Sequence, residues 1–416
     1  MTSTLLVKHQ PPSGIRDANL QRSINVLSVI HYPTFGGPHN HNLHLIPRLA
    51  QRNIRTTALL PAEPGNALER FRNAGIDTVI IPLHRLRASW RPGVHAQLLL
   101  NWRREVRSIR RVIRERSIDV VQINGLIHPI GAFAARAEGA AVVWQIVEGT
   151  APMALRRALM PIVKRLANVL MTTGMQIARE HPGAIEMGDR LIPFYPAVNV
   201  ELFKPNPVTR AAVRRELGLK PDDKVVGTVG NLYPIKDHLT FIRAAARLRT
   251  TYPDTRFVLL GATYANFSEY TDSLWREAQR VGFREGQELI HRDAQSRVAE
   301  LAQAFDVFWL TSKAEGAPTC VEEALALELP VVTTDVGSVR EMIESDITGY
   351  IVPPSDPRAI AEATVKLFAE PELRSEMGKR GRAVAEDRFH VEVCADTHQR
   401  AFEMALAHNR ACSSEH

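Results

Sequence analysis

The chain has 416 residues, 45% hydrophobic and 23% charged, long enough for two hydrophobic cores and composed like a folded soluble protein. It lacks an apolar run near the ~20 residues that a membrane-spanning helix requires. Its three cysteines, odd in number and without a CxxC pair, argue for a reducing compartment and against a disulfide framework or a zinc site. The net charge of +7 is unevenly shared: residues 1–199 hold 25 Lys and Arg against 12 Asp and Glu, the remainder 27 against 33.

Residues 1–22, with Pro11, Pro12, Ser13 and Gly14 and without a signal peptide's apolar stretch, read as a mobile tail. Short β-branched runs then alternate with helical patterns. Strands are expected at 24–30, 56–60, 78–83, 119–123, 142–147 and 168–173, with helices such as 39–52, 97–116 and 128–138 between them. Continuous apolar strands separated by helices indicate a parallel sheet covered on both faces. A stretch with four prolines, 192–207, reads as a linker. Strands resume at 224–230, 256–261, 306–311 and 330–334, with helices near 237–250, 268–281, 295–304 and 319–328. Residues 356–410 read as wholly helical, opening on an Asp356 cap with Pro357 at the first helical position. The expected fold class is α/β. Two doubly wound Rossmann-like domains, 23–195 and 208–385, face a cleft across a hinge at 196–207, and a C-terminal helix and tail follow at 386–416.

Positive charge concentrates between Arg85 and Arg116, where ten arginines face only Glu105 and Glu115, with Trp90 and Trp102 among them. Such a stretch suits an anionic membrane surface or nucleic acid. Trp102, Val106, Ile109 and Ile113 recur near helical spacing, so the stretch also describes an ordinary solvated face of a core helix. No helix-turn-helix, finger or RRM signature is present, and no nucleic-acid partner is expected.

Three loops that follow strands open toward the expected cleft. In the first, HYPTFGGPHNHNLH, Gly36 and Gly37 let a ligand approach the backbone beside a helix N-terminus. An ordinary turn explains that glycine pair equally well. His39, His41 and His44 match no usual ligand spacing and are expected in a partly exposed first helical turn. In the second loop, GNLYPIKDH, Lys236 stands at a helix start that Asp237 can cap, an arrangement suited to a diphosphate. In the third, EGAPTCVEE, Glu315 precedes a helix that starts near Thr319. The N–H groups of Gly316, Ala317, Thr319 and Cys320 are spare there, and Pro318 has none. Cys320 reads as a small buried thiol, with a nucleophile as the other reading. Glu323, about one turn into the helix, can accept hydrogen bonds from the paired hydroxyls of a ribose. Glu322 points ~100° away and is expected in solvent. On spacing alone, Glu315 and Glu323 describe an acidic helix start as well as a site.

The run from Ser312 to Glu341, with Glu315 and Glu323 eight positions apart, resembles the EX7E signature of retaining GT-B glycosyltransferases of the GT4 group. The resemblance extends to GNLYPIKDH, IPFYPAVNVELFKP and GYIVPPSDPRAIAEAT and spans 24–405. It implies a GT-B fold whose C-terminal helices cross back to the N-terminal domain. It further implies that Lys236 holds the donor diphosphate and Glu315 the donor sugar, as the two catalytic residues. Glu323 would bind the nucleotide ribose, and Asn231, Gly316, Ala317, Pro318, Thr319 and Cys320 would complete the donor site. Gly36 and Gly37 would edge the phosphate and acceptor side. A histidine common in the family's N-terminal domain is replaced near VVWQIVEGT, where Val147 and Glu148 occupy the matching positions. Glu148 or His128 would take part of its role. Arginine often stands in the family where this chain has Asn231, and glycine where it has Glu328.

The implied function is transfer of a hexose from a nucleotide-diphosphate sugar, with retention, in polysaccharide or glycolipid assembly. The acceptor would be a glycan, a lipid-linked or a small molecule held by the N-terminal domain. No cofactor and no metal are expected, because lysine and helix-end groups stabilise the leaving diphosphate. The implied location is the cytoplasm, at the inner membrane face where 85–116 would touch anionic lipid. Two other readings stand beside this one: a nucleotide-sugar epimerase of the same fold, and a nucleotide-sugar-binding or scaffold protein in which Asn231 and the missing histidine abolish transfer.

Overall fold

The computed structural model describes residues 23–84, 92–147, 149 and 151–414. The expected tail at 1–22, Arg85, Arg87, Trp90, Arg91 and Glu148 lie outside the described residues.

The first sheet is entirely parallel and consists of β1 (Ile24–Ile30), β2 (Ile54–Pro61), β3 (Thr78–Ile81), β4 (Val120–Asn124), β5 (Ala141–Ile146), β6 (Val169–Thr173) and β7 (Leu191–Phe194). Their order is β3-β2-β1-β4-β5-β6-β7. Val26 of β1 is in register with Thr56 of β2 on one side and Val120 of β4 on the other. Helices cover both faces, which is why the central strands are apolar without alternation.

The second sheet repeats the plan with β8 (Val225–Val229), β9 (Arg256–Leu260), β10 (Leu289–Arg292), β11 (Val307–Leu310), β12 (Val331–Thr334) and β13 (Gly349–Val352), ordered β10-β9-β8-β11-β12-β13. Three strands were not anticipated. β10 and β13 are four-residue strands at the two edges of the sheet, too short to stand out from the sequence. β7 occupies the first part of the stretch expected to be linker; Pro193 is tolerated there because β7 lies at the sheet edge.

The chain crosses between the sheets twice, and the two crossings run side by side. Val198 N–H donates to Phe389 O at 2.9 Å, and Val391 N–H donates to Val198 O at 3.1 Å. Residues after 356 form helices Pro357–Ala369 and Pro371–Val384, a π turn Ala385–Phe389 and helix Val391–Ser414. Asp356 caps the first of these, its carboxylate accepting from Arg358 N–H and Ala359 N–H, both at 3.0 Å. Helix Val391–Ser414 returns to the first sheet, where Cys394, Ala395, Phe402 and Ala405 join one apolar cluster with Val26, Val120, Val143 and Val169.

In each sheet the strand order reverses at one place, between β1 and β4 and between β8 and β11. Loops leaving the carboxyl ends of such strands diverge and open a crevice for ligands. The basic stretch forms helix Pro92–Glu115, anchored by buried Ile109, Val112 and Ile113. Glu105 does not face the arginines: it is buried, accepting from His84 N–H at 3.1 Å and pairing with the His84 ring.

Candidate active site

The loop after β8 places Lys236 at the reversal point of the second sheet. Residues Pro234–Lys236 form a short 3-10 turn, and Asp237 takes a left-handed conformation (φ 48°) before helix His238–Leu248. Asp237 occupies the cap position. Its carboxylate, however, accepts from the Thr240 and Ser355 hydroxyls at 2.8 and 3.1 Å, not from backbone N–H groups. Asn231 bonds sideways, accepting from Ala262 N–H and donating to the Tyr264 hydroxyl, both at 3.1 Å. It therefore braces the neighbouring loop after β9.

The loop after β11 answers across the same point. Thr311 hydroxyl donates to Lys236 O at 3.0 Å and Lys313 N–H to Ile235 O at 2.8 Å, tying the two loops together. Lys236 Nζ donates to Glu315 Oε1 at 2.6 Å, and the Ser312 hydroxyl donates to the same oxygen at 2.6 Å. Both ionic side chains are largely shielded, at 16% and 14% exposure. Burial lowers the proton affinity of Lys236, but the Glu315 charge outweighs it and leaves the ammonium raised above its ordinary range.

Helix Thr319–Ala326 starts at Thr319, as expected, with Pro318 at its N-cap. Glu323 is half-buried, and burial pushes its carboxyl up to about 8. Cys320 stands among Lys236, Glu315 and Glu323, and burial pushes its thiol up to about 12. A thiol held protonated is a poor nucleophile, which favours the reading of Cys320 as a small packed thiol. Glu322 is not in solvent: it is fully buried, with both carboxylate oxygens lacking a hydrogen-bond partner. Packing of this helix against Pro371–Val384 and Ala385–Phe389 closes over the side expected to be wet.

The opposite wall comes from the first sheet. Gly36 and Gly37 begin helix Gly37–Gln51, and a Cβ at either would meet nothing within 4 Å, so open space faces both. The Gly36 N–H is not spare, since it donates to His39 Nδ1 at 3.2 Å. His39 and His41 are buried rather than partly exposed: His39 Nε2 also reaches Tyr32 O at 2.9 Å, and its imidazole falls to about 4 through burial. The hydrogen-bonded loop and the returning C-terminal helix account for this. His128, after β4, is buried and stacks on His31, after β1, with ring centroids 5.9 Å apart. His31 carried no sequence signal beyond ending a strand.

The walls meet. A Cβ on Gly316 would lie 1.9 Å from Val147 O, so only glycine allows this approach. Glu341 accepts from Met175 N–H at 2.8 Å, Gln176 N–H at 2.6 Å and the Tyr195 hydroxyl at 2.9 Å. The Ser338 hydroxyl donates to Thr173 O at 2.5 Å. Burial, then the Glu341 charge, keeps the Tyr195 phenol raised well above its ordinary range. Ser338 was not singled out from the sequence, and Glu341 only as part of the signature.

Residues 209–384, which contain Lys236, Glu315, Glu323 and Glu341, match the family model described as glycosyl transferases group 1. This segment is therefore similar to a group 1 glycosyltransferase domain. The D-inositol 3-phosphate glycosyltransferase of Segniliparus rotundus is 28% identical over 212 residues, 51% of this chain and 46% of that protein. The GDP-mannose-dependent alpha-(1-6)-phosphatidylinositol monomannoside mannosyltransferase of Mycolicibacterium smegmatis is 33% identical over 202 residues, 47% of this chain and 51% of that protein. The chain thus spans about half the length of these curated relatives. The crystal structure of HepE from Anabaena in complex with UDP superposes with a TM-score of 0.77 at 18% identity, covering 91% of this chain and 100% of that one. At that identity the likeness concerns the fold: two Rossmann-like domains in the GT-B arrangement, with residues 209–384 in the second.

Proposed function

We propose that the chain is a retaining glycosyltransferase that moves a hexose from a nucleotide-diphosphate sugar to an acceptor held by residues 23–195. The observation that carries this reading is the Lys236–Glu315 pair at the reversal point of the second sheet, with Glu323 one helical turn beyond.

Lys236 and the spare N–H groups of Gly316, Ala317, Thr319 and Cys320 take the donor diphosphate, and Glu323 takes the ribose hydroxyls. The incoming phosphate draws the ammonium from Glu315, whose carboxylate turns to the hydroxyls of the sugar. The bond from the anomeric carbon to the phosphate oxygen breaks on the face where the acceptor oxygen bonds. The acceptor proton passes to the departing phosphate, so no protein base is required. Lysine and helix-end dipoles stabilise the departing charge in a partly dry site, without a metal ion. Gly36, Gly37 and His128 border the acceptor.

The names of the relatives support a glycolipid or polysaccharide role, one of them acting on a phosphatidylinositol mannoside with GDP-mannose. HepE with UDP supports a uridine nucleotide equally. Arg107, Arg110, Arg111 and Arg114, with Glu115, line one hollow on helix Pro92–Glu115, which we assign to contact with anionic lipid. Among the described residues no helix is long and apolar enough to cross a membrane.

Assay of donor hydrolysis and transfer against UDP-, GDP- and ADP-sugars tests the reading. Turnover of one donor that disappears in Glu315→Ala and Lys236→Ala is expected. Turnover that survives both substitutions unchanged removes the site assignment.

A further inference from the structure

A second constellation lies where the returning helix meets the first sheet. His41 from helix Gly37–Gln51 faces Cys394 and His398 from helix Val391–Ser414, and all three are buried, at 6%, 4% and 0% exposure. One ligand atom from each lies within 4.8 Å of the others. His41 Nε2 and His398 Nε2 are 3.4 Å apart, and Cys394 Sγ is 3.6 Å from His398 Nδ1.

Several features of this group are those of a metal site. Cys394 and His398 are four residues apart on one helix and so share a face. His398 Nδ1 donates to Cys394 O at 2.8 Å, which fixes the ring and leaves the Nε2 lone pair directed at His41. An imidazole oriented by a backbone carbonyl is the usual state of a metal-bound histidine. Two nitrogens at ~2.0–2.1 Å from one tetrahedral ion stand about 3.4 Å apart, the separation of the two Nε2 atoms here. The Gln145 side-chain amide nitrogen lies 2.6 Å from His398 Nε2, and its oxygen accepts from Gln122 Nε2 at 3.2 Å.

We propose that His41, Cys394 and His398 hold one zinc ion that staples the C-terminal helix to the N-terminal domain. The thiol of Cys394 releases its proton to solvent and binds as thiolate, and both imidazoles bind neutral through Nε2. The proton that His41 Nε2 directs at His398 moves to Nδ1, where the contact with Ala197 N–H is long, at 3.4 Å. Gln145 Nε2 gives way to the ion, and a water molecule takes the fourth position. Thiolate and imidazole together select zinc over magnesium or calcium. The site is structural and takes no part in sugar transfer. Nothing in the spacing of His39, His41 and His44 announced it, because two of its ligands lie more than 350 residues further along the chain.

The test is anaerobic titration of the full chain, freed of metal, with Co2+ as a spectroscopic stand-in. One ion per chain is expected, with tetrahedral visible bands and a near-ultraviolet thiolate-to-cobalt charge-transfer band that zinc then displaces. Cys394→Ser should remove the near-ultraviolet band, and His398→Gln should weaken binding by about tenfold or more. Wild-type spectra need no variant to fold. Folded wild-type protein that takes up cobalt without the thiolate band, or takes up only substoichiometric cobalt and zinc, overturns the proposal and leaves a hydrogen-bonded pair of neutral imidazoles.

Discussion

Lys236 and Glu315, 79 residues apart in the chain, share a 2.6 Å charge-assisted hydrogen bond at the point where the second sheet reverses its strand order. The pair locks two loops and stores a cation where a diphosphate would arrive. Both side chains are largely shielded, so losing one partner strands the other. Lys236→Met is expected to lower the stability of the unliganded protein by about 3 kcal/mol. It should also lower kcat by about 10²–10³, the order seen when one stabilising group is lost from a developing charge. Urea unfolding and steady-state kinetics read the two effects separately. Unchanged values in both would show that the pair does neither job.

Glu323 gives the site a pH dependence. Burial raises its carboxyl from 4.5 to about 8, so the folded protein holds a proton that the unfolded chain has released. Its contribution to stability is fully present below about pH 4.5 and is lost as pH rises through about 8. Glu323→Gln should therefore gain on wild type as pH rises across that window. Ribose hydroxyls donating to the carboxylate favour its ionised form, so nucleotide affinity should rise up to about tenfold per pH unit below about 8. Calorimetric titrations at a series of pH values check this, and equal affinity throughout would exclude a carboxylate–ribose contact.

Glu341 clasps the domains by accepting from Met175 N–H, Gln176 N–H and Tyr195. Glu341→Ala should release the closed arrangement and enlarge the radius of gyration in small-angle X-ray scattering. Gly316→Ala should do the same by steric means, since its Cβ cannot coexist with Val147 O. If both variants scatter like wild type, the domain contact does not govern closure.

The arginine hollow on helix Pro92–Glu115 predicts salt-sensitive binding to phosphatidylglycerol vesicles. Each arginine near such a surface contributes about 1 kcal/mol, so replacing Arg107 and Arg111 by glutamine should weaken sedimentation with vesicles by about 30-fold. Arg110 and Arg114 are left in place because both pair with Glu138, at 2.5 and 3.2 Å. Binding that is indifferent to salt and to these substitutions would remove the lipid contact.

The central strands were legible because a central strand of a parallel sheet is a predominantly apolar run, as in β1 and β11. The edge strands β7, β10 and β13 are four residues each, too short to stand out, and pairing with neighbours determines them. That Lys236 and Glu315 share one site was legible only with the family resemblance, since spacing alone described an acidic helix start equally well; their direct ion pair was not. Glu322 was misjudged because helical angle says which way a side chain points, not what lies there. A later helix and π turn cover that side. His41 and His398 were illegible as partners for the same reason: a helix from the far end of the chain brings them together.

The central claim is that Lys236 and Glu323 bind a nucleoside diphosphate in the cleft. Isothermal titration of wild type, Lys236→Ala and Glu323→Ala with UDP and with GDP tests it most directly. The account predicts saturable binding of one nucleotide by wild type and loss of most of that affinity in each folded variant. Equal affinity of all three proteins for the nucleotide would contradict it.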